Sequence, residues 1–147
     1  MKNYIRLASF LWLLLVPSFT YANSELPSLS HYWLQAAPPN VKNQAAYVTI
    51  NNTSSQDIVL VDAYSPAFEM TMIHQTVIQD GIAKMQHQDK IIIKSGKKLT
   101  FKPGGYHIML MQPTIKFSQG DFIKINLIYR INDKKVVQVT WFPVELH

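Results

Sequence analysis

Met70-Thr71-Met72-Ile73-His74-Gln75-Thr76-Val77-Ile78-Gln79-Asp80-Gly81-Ile82-Ala83-Lys84-Met85-Gln86-His87 reads as a β-hairpin. Asp80-Gly81 is a pair favoured in two-residue turns, and both flanks carry strand-type residues. Such a turn sets the pairing: Gln79 with Ile82, Val77 with Lys84, Thr76 with Met85 and His74 with His87. His74, Thr76, Met85 and His87 then share one face, with His74 and Met85 as diagonal neighbours.

The chain around this hairpin repeats the pattern. Ala46–Asn51, Ile58–Tyr64, Lys90–Lys94, Lys98–Phe101, Tyr106–Met111, Phe122–Ile131 and Val136–Phe142 are strand-like runs. They are separated by turn chemistry such as Asn51–Ser55, Ser95-Gly96-Lys97, Pro103-Gly104-Gly105 and Asn132-Asp133-Lys134. No run of ten or more residues shows a clean helical stripe. Short strands at close spacing predict an all-β antiparallel sandwich or barrel. The expected core is Val48, Ile50, Val59, Val61, Ile92, Leu99, Leu110, Ile125, Leu127, Val137, Val139 and Trp141. Asn23–Leu29 is expected to be a flexible lead-in, with strands from Tyr32 onward.

Met1–Ala22 has the layout of a secretory signal. Lys2 and Arg6 open it, Leu7–Val16 forms a short apolar core, and Thr20-Tyr21-Ala22 offers a small residue for cleavage. The apolar run is short and its flanks one-sided for a membrane span, which favours a cleaved signal over an uncleaved anchor. The expected organisation is therefore a signal peptide at 1–22 and a single domain at 23–147, exported and not inserted in a membrane. Without Lys2 and Arg6 the chain keeps 12 Lys and Arg against 9 Asp and Glu, a formal +3. The lysines are scattered without an interleaved aromatic platform, which argues against nucleic-acid binding.

The chain contains no cysteine. An exported domain of this size must then be held by burial and not by disulfides. Thiol redox chemistry, thiolate metal sites and a cysteine-ligated blue-copper centre are excluded, as is a lipoprotein signal that acylates a cysteine.

Pro103-Gly104-Gly105-Tyr106-His107-Ile108-Met109-Leu110-Met111 carries the chemistry. On a strand, His107, Met109 and Met111 lie on one face, each about 7 Å from the next. His74 and Met85 make a second His/Met pair. Two imidazoles and two thioethers without thiolate suit Cu(I), a soft ion that accepts few ligands. The site forms only if the strand around His107 comes alongside the hairpin, or if strand ends converge at one pole. Met72 and Met111 could back the site, and His87 could join it. The plain reading of Met70, Met72 and Met111 is core filling; for His31 and His147 it is a surface imidazole.

The chain resembles the periplasmic copper chaperones of the PCu(A)C type. Their hallmark is a His, ten intervening residues, a Met, twenty-one intervening residues, then His-x-Met. His74, Met85, His107 and Met109 fit that spacing without a gap. The resemblance runs from about Trp33 to Tyr129. It includes Trp33, Ala36-Ala37-Pro38-Pro39 and Ala45-Ala46-Tyr47, and is strongest over Lys102–Met111. It implies an antiparallel Greek-key β-sandwich of cupredoxin-like type, binding one Cu(I) through His74, Met85, His107 and Met109. It also implies a monomeric periplasmic carrier, not an enzyme. Its cargo would go to the binuclear copper centre of cytochrome c oxidase subunit II, alongside Sco-type proteins. The chain departs from common members at Thr76 and Ala83, where methionine is frequent, and at His87, where proline is frequent. The first two remove spare thioethers; His87 adds a nitrogen donor that favours Cu(II). Of the His/Met-rich tail that some members carry, only His147 stands here.

Two other classes fit part of the pattern. A secreted copper oxygenase would place a histidine at the mature N-terminus, where cleavage leaves Asn23. A dismutase needs more histidines than the five present. A metal-free β-sandwich interaction module would account for the strands and for aromatics such as Tyr106. It would leave the ligand spacing unexplained.

Overall fold

The computed structural model describes residues 26–38 and 41–146. The signal peptide expected at Met1–Ala22, together with Pro39 and His147, lies outside the described residues. Among the described residues there are ten strands: β1 Ser28–Gln35, β2 Asn43–Asn51, β3 Ile58–Tyr64, β4 Phe68–Gln79, β5 Ile82–His87, β6 Ile91–Ile93, β7 Lys98–Thr100, β8 Tyr106–Pro113, β9 Phe122–Ile131 and β10 Lys134–Glu145. Among the described residues no helix is long and apolar enough to cross a membrane.

The strands form one hydrogen-bonded path in the order β5-β4-β8-β2-β1-β10-β9-β3-β6, with β7 added on β2. β8 lies between β4 and β2, so the chain crosses over where a simple meander would not. The path folds on itself: inward residues of β2, β4 and β8 and those of β3, β6, β9 and β10 meet in one core. Ala46, Val48, Ile50, Ile73, Ile108 and Leu110 come from the first half, and Leu60, Ile125, Leu127, Tyr129 and Phe142 from the second. This is the expected all-β sandwich. The antiparallel expectation holds except at one seam, where β1 runs parallel to β10 through Leu34↔Val144 and Gln35↔Glu145. Parallel neighbours need a long connection, and these two strands are nearly the whole chain apart.

The lead-in expectation is corrected at Ser28 and Leu29. Both belong to β1, with Leu29 facing Ile50 of β2. Further along, β1 is irregular between Ser30 and Trp33, and His31 takes φ 49° there. Such an irregularity interrupts the strand's period, which hides it from a pattern search.

The turn between β4 and β5 has left-handed backbone at both Asp80 (φ 53°) and Gly81 (φ 76°). The register follows as expected, from Gln79↔Ile82 to His74↔His87. Asn132 (φ 49°) and Asp133 (φ 60°) repeat the device, so β9 and β10 pair from Ile131↔Lys134 onward. A Cβ on Gly81 would meet no atom within 4 Å, leaving backbone strain as the whole penalty. Gly81→Ala therefore destabilises by about 1 kcal/mol, read as a lower urea midpoint. A gain in stability would contradict the turn geometry.

The expected core is borne out at Val48, Ile50, Leu110, Ile125 and Leu127, which are buried. Leu99 is half-buried and packs against that core. Val59 and Val61 are only half-buried, and Ile92, Val137, Val139 and Trp141 are exposed, Trp141 at 57%. Their neighbours Ile58, Leu60, Ile91, Ile93, Phe142 and Val144 occupy the interior instead. β3 and β6 are apolar on both faces, so alternation does not say which parity points inward. In β10 the alternation is clean but runs the other way, with Gln138 and Thr140 more covered than Val137, Val139 and Trp141.

Candidate metal centre

β4 is the central strand of the site. On one side it pairs with β8, setting Met70 against Met111, Met72 against Met109 and His74 against His107. On the other it pairs with β5, setting His74 against His87 and Thr76 against Met85. Paired residues share a face, so His74, Met85, His107 and Met109 lie on one side of this three-stranded sheet. Met72, Met111 and His87 lie there too. The alternate residues Ile73, Ile108 and Leu110 point into the core and hold the three strands in place. The convergence required of the two His/Met pairs thus arises from side-by-side strands.

The His74 and His107 rings have centroids 5.8 Å apart, and those of His74 and His87 5.6 Å. Met85, His107 and Met109 line one cavity of about 420 Å³, whose far wall includes Ala36, Pro38 and Val41. This wall explains why His107 is only 6% exposed although it faces away from the core. Met85 stands at the rim, 63% exposed. His31 is exposed on β1, with β2 between it and β8, and is not brought to the site.

His107 is oriented by a carbonyl that the sequence does not advertise. Its Nδ1 is 3.1 Å from the Gly105 oxygen. A carbonyl can only accept, so Nδ1 carries the proton and Nε2 keeps the lone pair a metal would use. The same oxygen accepts the Thr76 N–H at 3.0 Å, tying β4 to the start of β8. Gly105 also closes the preceding turn by donating its N–H to Lys102 O at 3.0 Å. Pro103 and Gly104 (φ 74°) are its central residues, as in a type II turn. The Pro-Gly-Gly signal is visible in the sequence; the carbonyl's aim is not.

His74 is held neutral. Burial lowers its pKa from the usual imidazole value, and the neighbouring His107 and His87 lower it further. Its Nδ1 is covered and has no hydrogen-bond partner. A neutral ring with an unpartnered nitrogen fits a metal ligand, and the thioethers beside it need no deprotonation. Among the described residues no group of three or more His, Cys, Asp or Glu side chains could hold an ion. A site that gathers three or more side chains on this face therefore draws on methionine sulfur.

The lowered His74 pKa has a sign in the metal-free protein. Between the folded and unfolded pKa values the unfolded chain binds the extra proton, so stability rises with pH. The contribution is complete above the unfolded imidazole value of about 6.5 and is lost as pH falls below it. His74→Gln should flatten the urea midpoint between about pH 7 and pH 5. An unchanged slope would show that His74 is not the group responsible.

Residues 28–144 match the family described as "Putative lipoprotein LpqE-like". Over 100 residues, 67% of this chain and 55% of the relative, the chain is 36% identical to "Uncharacterized protein RP573" of Rickettsia prowazekii (strain Madrid E). It spans less than two thirds of the length of the curated relatives it matches. Among solved structures it is similar to CuI-DR1885 from Deinococcus radiodurans, with a TM-score of 0.64 and 28% identity over 82% of this chain and 78% of that one. It also shares its fold with the copper-bound PCuAC domain from PmoF2, with a TM-score of 0.67 and 20% identity over 86% of this chain and 97% of that one.

Proposed function

Because the chain belongs to the LpqE-like family and has the fold of PCuAC domains, we propose that it is an exported carrier of Cu(I). In this reading His74, Met85, His107 and Met109 are the ligands and copper is cargo. Residues 23–147 act as one domain after Met1–Ala22 directs export and is removed at Ala22. The lipoprotein name of the family supports export, although these 147 residues contain no cysteine to acylate.

The observation that carries the reading is the β4–β8 register, with His74 opposite His107 and Met72 opposite Met109. His107 is fixed by Gly105, whereas Met85 sits exposed at the rim. An acceptor would therefore replace Met85 first, while the two imidazoles still hold the ion. Thioethers bind Cu(I) without the tenacity of thiolates, which suits a protein that must release what it binds. The acceptor proposed is the binuclear copper centre of cytochrome c oxidase subunit II, with a Sco-type protein as the thiol partner.

The test is Cu(I) titration of the 23–147 protein against a competing chromophoric chelator, followed by X-ray absorption at the copper edge. One equivalent with both nitrogen and sulfur scatterers is expected. A nitrogen- and oxygen-only shell, or no competition with the chelator, would remove the proposal.

A further inference from the structure

Three imidazoles stand in one row across β5, β4 and β8, as His87, His74 and His107. The Cu(I) reading uses two of them. We propose that His87 and His74 form a second, outer metal position that takes Cu(II). This rests on the reading of the same face as a copper site and shares His74 with it.

Two imidazoles that bind one ion at about 2.0 Å each have ring centres no more than about 6 Å apart. The His74–His87 separation of 5.6 Å lies inside that limit. Both residues are cross-strand partners on a hairpin whose register is pinned by Asp80-Gly81, so the pair is pre-positioned. Asp89 Oδ1 lies 3.3 Å from His87 Nε2. Negative charge there favours the proton on Nε2 and leaves Nδ1 with its lone pair, as a carboxylate does behind many metal-bound histidines.

The surroundings select the oxidation state. Met109 and Met85 line the cavity with His107, and His74 and His87 lie outside that lining, His74 next to it through its pairing with His107. The His87 side chain is 51% exposed, so water is the oxygen donor at hand. Nitrogen and oxygen donors suit Cu(II), while the thioether side of His74 suits Cu(I). Because His74 belongs to both positions, an ion in one excludes an ion in the other.

The experiment is Cu(II) titration of the 23–147 protein followed by electron paramagnetic resonance, with imidazole nitrogens counted by pulsed methods. A His31→Gln background removes the exposed imidazole of β1. Two imidazoles are expected. His87→Asn should weaken Cu(II) by at least about tenfold and remove one of them. Cu(I) affinity should change less than about threefold. Loading with Ag(I), a redox-inert stand-in for Cu(I), should abolish the two-imidazole signal. An unchanged Cu(II) affinity in His87→Asn, or an equal loss of Cu(I) and Cu(II), would overturn the outer position. So would full Cu(II) binding to the Ag(I)-loaded protein. A wild-type protein that shows the two-imidazole Cu(II) signal but binds no Cu(I) would sink the carrier reading and leave the outer pair standing.

Discussion

Met109→Ala lowers Cu(I) affinity on the order of a hundredfold, about 2.7 kcal/mol, while the fold survives. Met109 is half-buried on the outer face, opposite Met72 of β4 and Ala45 of β2. Removing its side chain deletes one of two proposed sulfur ligands but opens no hole in the core. Half the burial of a methionine corresponds to about 1 kcal/mol of stability. Chelator competition should therefore show a large change and the urea midpoint a small one. Met72 is the nearest substitute sulfur, and if it took over the loss would shrink; Met72→Ala combined with Met109→Ala would then restore the full effect. Equal Cu(I) affinity in that double variant would take methionine on β8 and its β4 neighbour out of the site.

The hairpin could be read from the sequence because its information is local. Asp80-Gly81 permits one economical turn, and counting outward from it gives every pair to His74↔His87. The same count places Thr76 against Met85 without any structure. The junction of β4 with β8 has no such local signal. His74 and His107 are brought together through a sheet in which β8 enters between β4 and β2, and only the long-range spacing hinted at it. The Gly105 carbonyl was out of reach for another reason: every residue has a carbonyl, and its direction depends on the Pro103-Gly104 turn. The sequence does not mark the interior where a strand is apolar on both sides, and in β10 it points the wrong way, since Gln138 and Thr140 are more covered than Val137 and Val139. Ile91-Ile92-Ile93 offers no polar residue to mark the solvent face, and Trp141-Phe142 presents two large aromatics of opposite parity. In β9 the period is clearer: Lys124, Asn126 and Arg130 alternate with Ile123, Ile125, Leu127, Tyr129 and Ile131, which are buried. Ile125 and Leu127 are accordingly legible as interior residues from the sequence alone.

Ile108→Ala should show the converse of Met109→Ala one residue away. Ile108 is fully buried and faces Ile73 on β4 and Ala46 on β2. Truncating it removes about three carbons from a packed interior, and the strands on both sides are hydrogen-bonded too firmly to close over the gap. The expected loss is about 2–4 kcal/mol, a large part of the roughly 5–15 kcal/mol that holds a domain of this kind. With a urea slope of about 1–3 kcal/mol per molar, the midpoint should fall by 1 M or more, by order of magnitude. Below that midpoint the β4–β8 register should survive, because the backbone bonds and the Gly105–His107 contact are untouched. Cu(I) affinity measured without denaturant should then stay within about threefold of wild type. Strand alternation makes this separation possible: adjacent side chains leave β8 in opposite directions, one into the interior and one toward the metal face. If Ile108→Ala weakened Cu(I) as much as Met109→Ala, the metal face would depend on core packing more than on its own side chains. The assignment of ligands by register would fail with that result.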